Sequence, residues 1–167
     1  LEENKIFVTL VKVDVVSHSP QMVLIKDELI EKVKNIKPQD SNIDQYSSVK
    51  GKKIEGKEFG ADYWGDNLRQ GVKFSTVMDK LVENEYTLFV EVSPHPVLKT
   101  PMWECVANNE GGKIEIINSL HREYSEFTEI QKNLAYLFEQ GYSITNGEFF
   151  KFDRKDEVKL PSYPFQR

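Results

Sequence analysis

An α/β fold is predicted for this 167-residue chain by three features. Short apolar, β-branched runs alternate with segments whose apolar residues recur every three or four positions. Proline, glycine and asparagine fall between these segments, where turns are needed. Hydrophobic content is 39% against 29% charged, the balance of a chain with a buried core rather than a disordered one.

Ile6 to Val16 is apolar on alternate and intervening positions alike, so it reads as a strand covered on both faces. Pro20 then suits the first turn of a helix, with Ser19 as its N-cap and Met22, Ile25, Leu29, Val33 and Ile36 as its apolar stripe. The helix must stop before Pro38. Residues 40–60 are polar and read as loop, with one short strand at Tyr46 to Val49. Ala61 to Val72 mixes aromatic and polar residues without a clear period. Phe74, Val77, Met78, Leu81 and Val82 mark a helix ending near Asn84. Thr87 to Val92 is a buried strand, and Pro94-His95-Pro96 a stiff turn. A helix over 97–107, a turn over 108–112 and a strand over 114–117 follow. Ser125 caps a helix carried by Phe127, Ile130, Leu134, Leu137 and Phe138, and Gly141 ends it. Beyond Tyr142 the composition changes to aromatics and prolines, which favour an extended segment.

Net charge is −5 and the lysines are scattered among acids, which argues against nucleic acid as a partner. No apolar run approaches the roughly 20 residues that a membrane helix needs. The single cysteine, Cys105, permits no internal disulfide; it reads as core filler and fits a reducing cytoplasm. Histidines 18, 95 and 121 lack metal-ligand spacing, so no metal is expected. His95 reads as a structural hydrogen-bonder and His121 as exposed. The chain opens at Leu1 and enters a strand almost at once, as an excised piece of a longer protein would.

His18 is the residue best placed for chemistry. It sits where the first strand pattern gives way to a turn, and an imidazole exchanges protons near neutral pH.

Three motifs occur in order: Val-Asp-Val-Val-Ser-His-Ser-Pro-Gln-Met (13–22), Asp-Tyr-Trp-Gly-Asp-Asn-Leu-Arg-Gln-Gly-Val-Lys-Phe (62–74) and Phe-Val-Glu-Val-Ser-Pro-His-Pro-Val-Leu (89–98). Together they closely resemble the C-terminal half of the acyltransferase domain of modular polyketide synthases. The ending Leu-Pro-Ser-Tyr-Pro-Phe-Gln-Arg resembles the linker that follows that domain. The resemblance implies an α/β-hydrolase-like core with a ferredoxin-like small subdomain. Residues 1–13 would end the small subdomain, 14–141 would be the C-terminal part of the large one, and 142–167 the linker. It also implies transfer of a malonyl-type extender unit from coenzyme A to a serine, then to the phosphopantetheine thiol of an acyl carrier protein. No bound cofactor is implied. Partners would be that carrier protein, acyl-CoA, and the adjacent ketosynthase and linker domains.

By the same resemblance His18 is the general base and acid, and Asn67 supplies the contact that orients its ring, through main chain or side chain. Asn67 could equally cap a helix starting at Leu68. Val15, Val16 and Ser17 fall on the substrate-specificity positions beside His18. Malonyl-type domains usually carry His-Ala-Phe-His there and methylmalonyl-type domains Tyr-Ala-Ser-His. Ser17 leaves room for a branched extender, whereas the two valines depart from both patterns, so both extender classes stay open. No Gly-x-Ser-x-Gly elbow occurs in the 167 residues, and neither Ser17 nor Ser19 sits in one. The chain alone is therefore expected to be inactive. Two rival readings are a non-catalytic docking or scaffold remnant and a serine hydrolase of similar fold.

Overall fold

A computed structural model describes residues 16–107, 112–144 and 161. The expected first strand and small-subdomain end lie outside these residues, as does nearly all of the expected linker. The chain divides into two compact units, Leu1–Phe89 with Leu98–Ile116, and Val90–Val97 with Ile117–Arg167.

The first unit begins with a turn of 3₁₀ helix, Pro20–Met22, running into α1, Val23–Val33. Pro20 takes the early position where its missing N–H costs nothing. The expected Ser19 side-chain cap is not made: the Ser19 carbonyl accepts Met22 N–H at 3.1 Å instead, while its Oγ is buried with no partner among the described residues. Of the predicted stripe only Met22 is buried, and Leu24 is 88% exposed.

The region read as loop contains an antiparallel hairpin, β1 (Gln45–Ser47) with β2 (Lys52–Ile54), pairing Tyr46 with Lys53. Its turn is organised by Ser47, whose Oγ accepts the N–H groups of Val49 and Lys50 and meets the Tyr63 hydroxyl at 3.0 Å. Gly51 takes the left-handed conformation the turn requires. A second 3₁₀ turn, Gly56–Glu58, is closed by a capping box between Glu55 and Glu58.

The stretch without visible period is a helix, α2 (Ala61–Arg69). Asn67 is thus inside a helix and does not cap one. Tyr63 and Gly65 are buried on α2, and Tyr63 joins Val49, Ile54 and Phe59 in a small core. Gly65 matters by its size. A Cβ there would lie 2.7 Å from the Ile30 side chain and 3.2 Å from Lys26, so glycine lets α1 and α2 touch closely.

The larger core of this unit joins Met78, Phe89, Met102, Val106, Ile114 and Ile116. They come from α3 (Phe74–Glu83), β3 (Leu88–Glu91), α4 (Lys99–Val106), β4 (Glu115–Asn118) and the residue before it. Cys105 packs at its edge, and burial raises its thiol above the usual range. Strands β3 and β4 pair. Glu115 N–H donates to Thr87 carbonyl in the first unit, and Ser119 N–H to Glu91 carbonyl in the second, both at 2.8 Å. The constant offset means the two strands run parallel, and α4 is the crossover between them. Phe89 and Glu91 are buried while Val90 is 45% exposed, so β3 is covered mainly on one face.

The second unit contains α5 (Glu126–Glu139), with Ser125 at its N-cap position and Gly141 past its end in left-handed backbone. Asn133 of α5 donates to the carbonyls of Asn118 (2.7 Å) and Ser119 (3.1 Å), fastening the helix to the end of β4.

The backbone is most tightly constrained at Gly56, where a Cβ would stand 2.3 Å from the Gln39 carbonyl and 2.8 Å from Ser41 nitrogen. Gly56→Ala is expected to lower unfolding stability by about 2–3 kcal/mol, because backbone rather than a side-chain tip must move. Tyr63→Phe, which leaves the buried Ser47 hydroxyl without that partner, is expected to cost about 1–2 kcal/mol. Urea titration of each variant checks both values.

Candidate active site

His18 lies in the turn leading into the first helical segment, with its backbone in the left-handed region at φ 61°. Such backbone is uncommon for a non-glycine residue and costs of order 1 kcal/mol. The conformation is held by hydrogen bonds at both ends of the residue. His18 N–H donates to the Leu68 carbonyl at 2.8 Å, and the ring Nδ1 stands 3.0 Å from the Gln70 carbonyl.

Both acceptors belong to the end of α2. The last carbonyls of a helix have no partner within it, so His18 both caps α2 and is oriented by it. A carbonyl only accepts, hence Nδ1 carries the proton in this bond and Nε2 is the basic nitrogen of the neutral ring. Nε2 has no hydrogen-bond partner among the described residues, and the side chain is exposed. An oriented imidazole with an open basic nitrogen is what a proton-transfer base requires.

The orienting group is therefore Gln70, three residues beyond the predicted Asn67. Asn67 is half-buried on the last turn of α2, next to the carbonyl that takes His18 N–H, and makes no hydrogen bond to the ring among the described residues. The displacement has a physical cause. Gln70 leaves the helix with extended backbone, ψ 154°, which points its carbonyl away from the helical direction. Because the group is a main-chain carbonyl, no side-chain type marks it in sequence, and the helix whose end it follows carries no clear period either.

Val16 and Ser17 are exposed immediately before His18, and Val15 lies outside the described residues. Around the same helix end, Asp66 accepts Lys26 Nζ at 2.8 Å and Lys50 Nζ at 3.2 Å. The hydrogen bond from Lys26 is the main reason its carboxyl lies below the usual range. A cleft bordered by Lys50, Asp66, Gln70 and Lys73 opens beside this network. A roomier one, walled by Pro38, Gln45, Phe59 and Trp64, holds none of the predicted site residues.

The other two histidines meet in the second unit. Their rings stand edge to face with centroids 4.4 Å apart, and His121 also packs on Tyr124 at 4.8 Å. His95 accepts Ser93 Oγ on its main-chain carbonyl at 2.9 Å, while its ring Nδ1 is buried with no partner among the described residues. His121 is half-buried rather than exposed, and its Nδ1 accepts Glu123 N–H. The preceding turn is fastened by the buried Glu91 carboxylate, which accepts Ser93 Oγ and Val97 N–H.

The chain belongs to the acyl transferase domain family, whose model matches residues 1–142. It is 33% identical over 158 residues to erythronolide synthase EryA2 of Saccharopolyspora erythraea, covering 94% of this chain and 4% of that protein. It is also similar to a phthioceranic/hydroxyphthioceranic acid synthase of Mycobacterium tuberculosis, at 30% identity over 97% of this chain and 8% of that one. Among solved structures, the loading acyltransferase of the avermectin modular polyketide synthase superposes with a TM-score of 0.70 at 32% identity, covering 75% of this chain and 38% of that one. The acyltransferase domain from module 8 of the salinomycin polyketide synthase superposes at 0.80 with 27% identity, covering 86% of this chain and 34% of that one. The chain thus spans little more than a third of these solved domains.

His95 titrates below the ordinary imidazole range, chiefly because burial disfavours its cation and Arg122 and His121 add positive charge nearby. A depressed folded pKa means this group's contribution to stability is complete above about pH 6.5 and is lost as pH falls below it. The His95 ring-proton resonance should accordingly move below pH 6.5, and thermal stability should decline over the same interval. A His95→Gln variant should show a flatter decline.

Proposed function

We propose that this chain supplies the base half of a polyketide-synthase acyltransferase, with His18 serving a serine hydroxyl that lies outside these 167 residues. The observation that carries the reading is the hydrogen bond from the His18 ring to the Gln70 carbonyl, which leaves Nε2 free on an exposed side chain. The family and the likeness to polyketide-synthase acyltransferase domains support it.

In the first half-reaction Nε2 accepts the serine proton as the serine oxygen bonds to the thioester carbonyl carbon of acyl-CoA. The carbon–sulfur bond then breaks, and the imidazolium returns the proton to the departing thiolate. The second half-reaction runs the same steps in reverse, with the phosphopantetheine thiol of an acyl carrier protein as nucleophile and the serine as leaving group. The Gln70 carbonyl stabilises the imidazolium formed in each half without adding a full negative charge. Asn67 supports the Leu68–Gln70 end of α2 rather than touching the ring. The substrate is a malonyl or alkylmalonyl thioester, with Val15, Val16 and Ser17 bordering the acyl group. The ketosynthase and linker domains of the same synthase are the neighbours in this reading.

In a complete domain that includes the serine, His18→Ala should slow self-acylation roughly 10²–10⁴-fold. Acyl-enzyme formation from labelled malonyl-CoA, followed by mass spectrometry, measures it. Loading at the parent rate would refute the assignment, and discharge by water in preference to carrier protein would favour a hydrolase. Ser17→Phe removes space beside His18, so in competition it should shift loading from methylmalonyl-CoA toward malonyl-CoA.

A further inference from the structure

We infer that Asp66 is a positioning residue for the His18 imidazole, acting through the exit of α2. The inference rests on the reading of His18 as the base and goes beyond it to the group that keeps the base in register.

The contact that orients the ring comes from a residue already outside the helix. Gln70 has extended backbone, and a carbonyl in that position follows any fraying of the last helical turn. Asp66 holds that turn in two ways. Its main-chain carbonyl accepts Gln70 N–H at 2.7 Å, so the residue bearing the orienting carbonyl is tied directly to it. Its carboxylate accepts a different lysine on each oxygen: Lys26 on Oδ1 and Lys50 on Oδ2.

Those lysines come from the two elements that flank the site. Lys26 is on α1, which follows His18 after a single turn of 3₁₀ helix. The Lys26–Asp66 pair therefore joins the segment that carries the ring to the segment that carries its acceptor. Lys50 is in the β1–β2 turn, and the neighbouring Ser48 carbonyl accepts Lys73 N–H at 2.7 Å, just past Gln70. The exit of α2 is thus held before and after the orienting carbonyl. Gly65 completes the arrangement by letting α1 approach closely enough for Lys26 to reach across.

An exposed ion pair would contribute little to geometry. This one is different in burial: the Asp66 and Lys26 side chains are 25% and 27% exposed. Both carboxylate oxygens are engaged, so the side chain has little freedom to rotate. Two lysines share one carboxylate, and asparagine at 66 could not satisfy both, because its amide offers a single acceptor oxygen.

The test uses this chain with ¹⁵N-labelled histidine. In the parent, the His18 nitrogen signals should report the Nδ1–H tautomer. In Asp66→Asn, the Nε2–H tautomer should become populated as the ring loses its fixed acceptor. The tautomer is the discriminating signal, since removing a nearby charge alone would not move the proton between nitrogens. Lys26→Met tests the same tie from the α1 side and should give the same change in smaller degree. It also serves if Asp66→Asn does not fold, as judged by circular dichroism. In the complete domain, Asp66→Asn should slow self-acylation about tenfold with KM for acyl-CoA unchanged. A folded variant that keeps the parent tautomer overturns the inference. If instead the tautomer shifts but His18→Ala still loads acyl groups at the parent rate, the positioning stands and the catalytic reading falls.

Discussion

The grip of His18 on the end of α2 is the constraint from which the site follows. Helix ends leave carbonyls unpaired, and water or a side chain must satisfy them. Here one residue does so twice, with its main-chain N–H on Leu68 and its ring on Gln70. The same two bonds that finish the helix select the imidazole tautomer. Structural and chemical requirements thus coincide in one contact, and neither can change without the other.

The rest of the first unit is arranged to keep that helix end still. Tyr63 anchors the start of α2 to the hairpin through Ser47, and its ring packs edge-on against Phe59 at 4.7 Å. The middle of α2 lies against α1 with only a glycine between them, and its last turn carries the two-lysine carboxylate. The hydrophobic cluster built from α3, α4 and the strands forms a separate core. It supports the framework without lining the histidine. Burial and chemistry are therefore divided: most apolar area is spent away from the site, and the site itself is held by polar contacts.

Much of the framework was legible in the residues because it rests on periodicity. The α3 stripe, the apolar run at β3 and the apolar positions of α5 correspond to elements observed, although β3 is covered mainly on one face. Elements without that signal escaped. In α2 the buried face consists of a tyrosine and a glycine, so no apolar stripe announces a helix. The hairpin of residues 45–54 owes its turn to the Ser47 hydroxyl rather than to a familiar turn pair. His18 stood out by its motif, whereas the group that meets its ring is the Gln70 main chain and not Asn67, since a backbone carbonyl has no letter of its own. The meeting of His95 and His121 depends on two loops converging, which spacing along the chain does not reveal. On α1 the opposite error arose: an apolar stripe suggested burial, yet its Ile25 and Ile36 are exposed.

The left-handed backbone at position 18 has an evolutionary corollary. Glycine would occupy that conformation without steric cost, whereas histidine, like asparagine, tolerates it at a modest one. A selection that rewarded only heat resistance would therefore drift toward discarding the reactive side chain. On the proposed reading of His18 as a base, robustness is surrendered locally in favour of turnover.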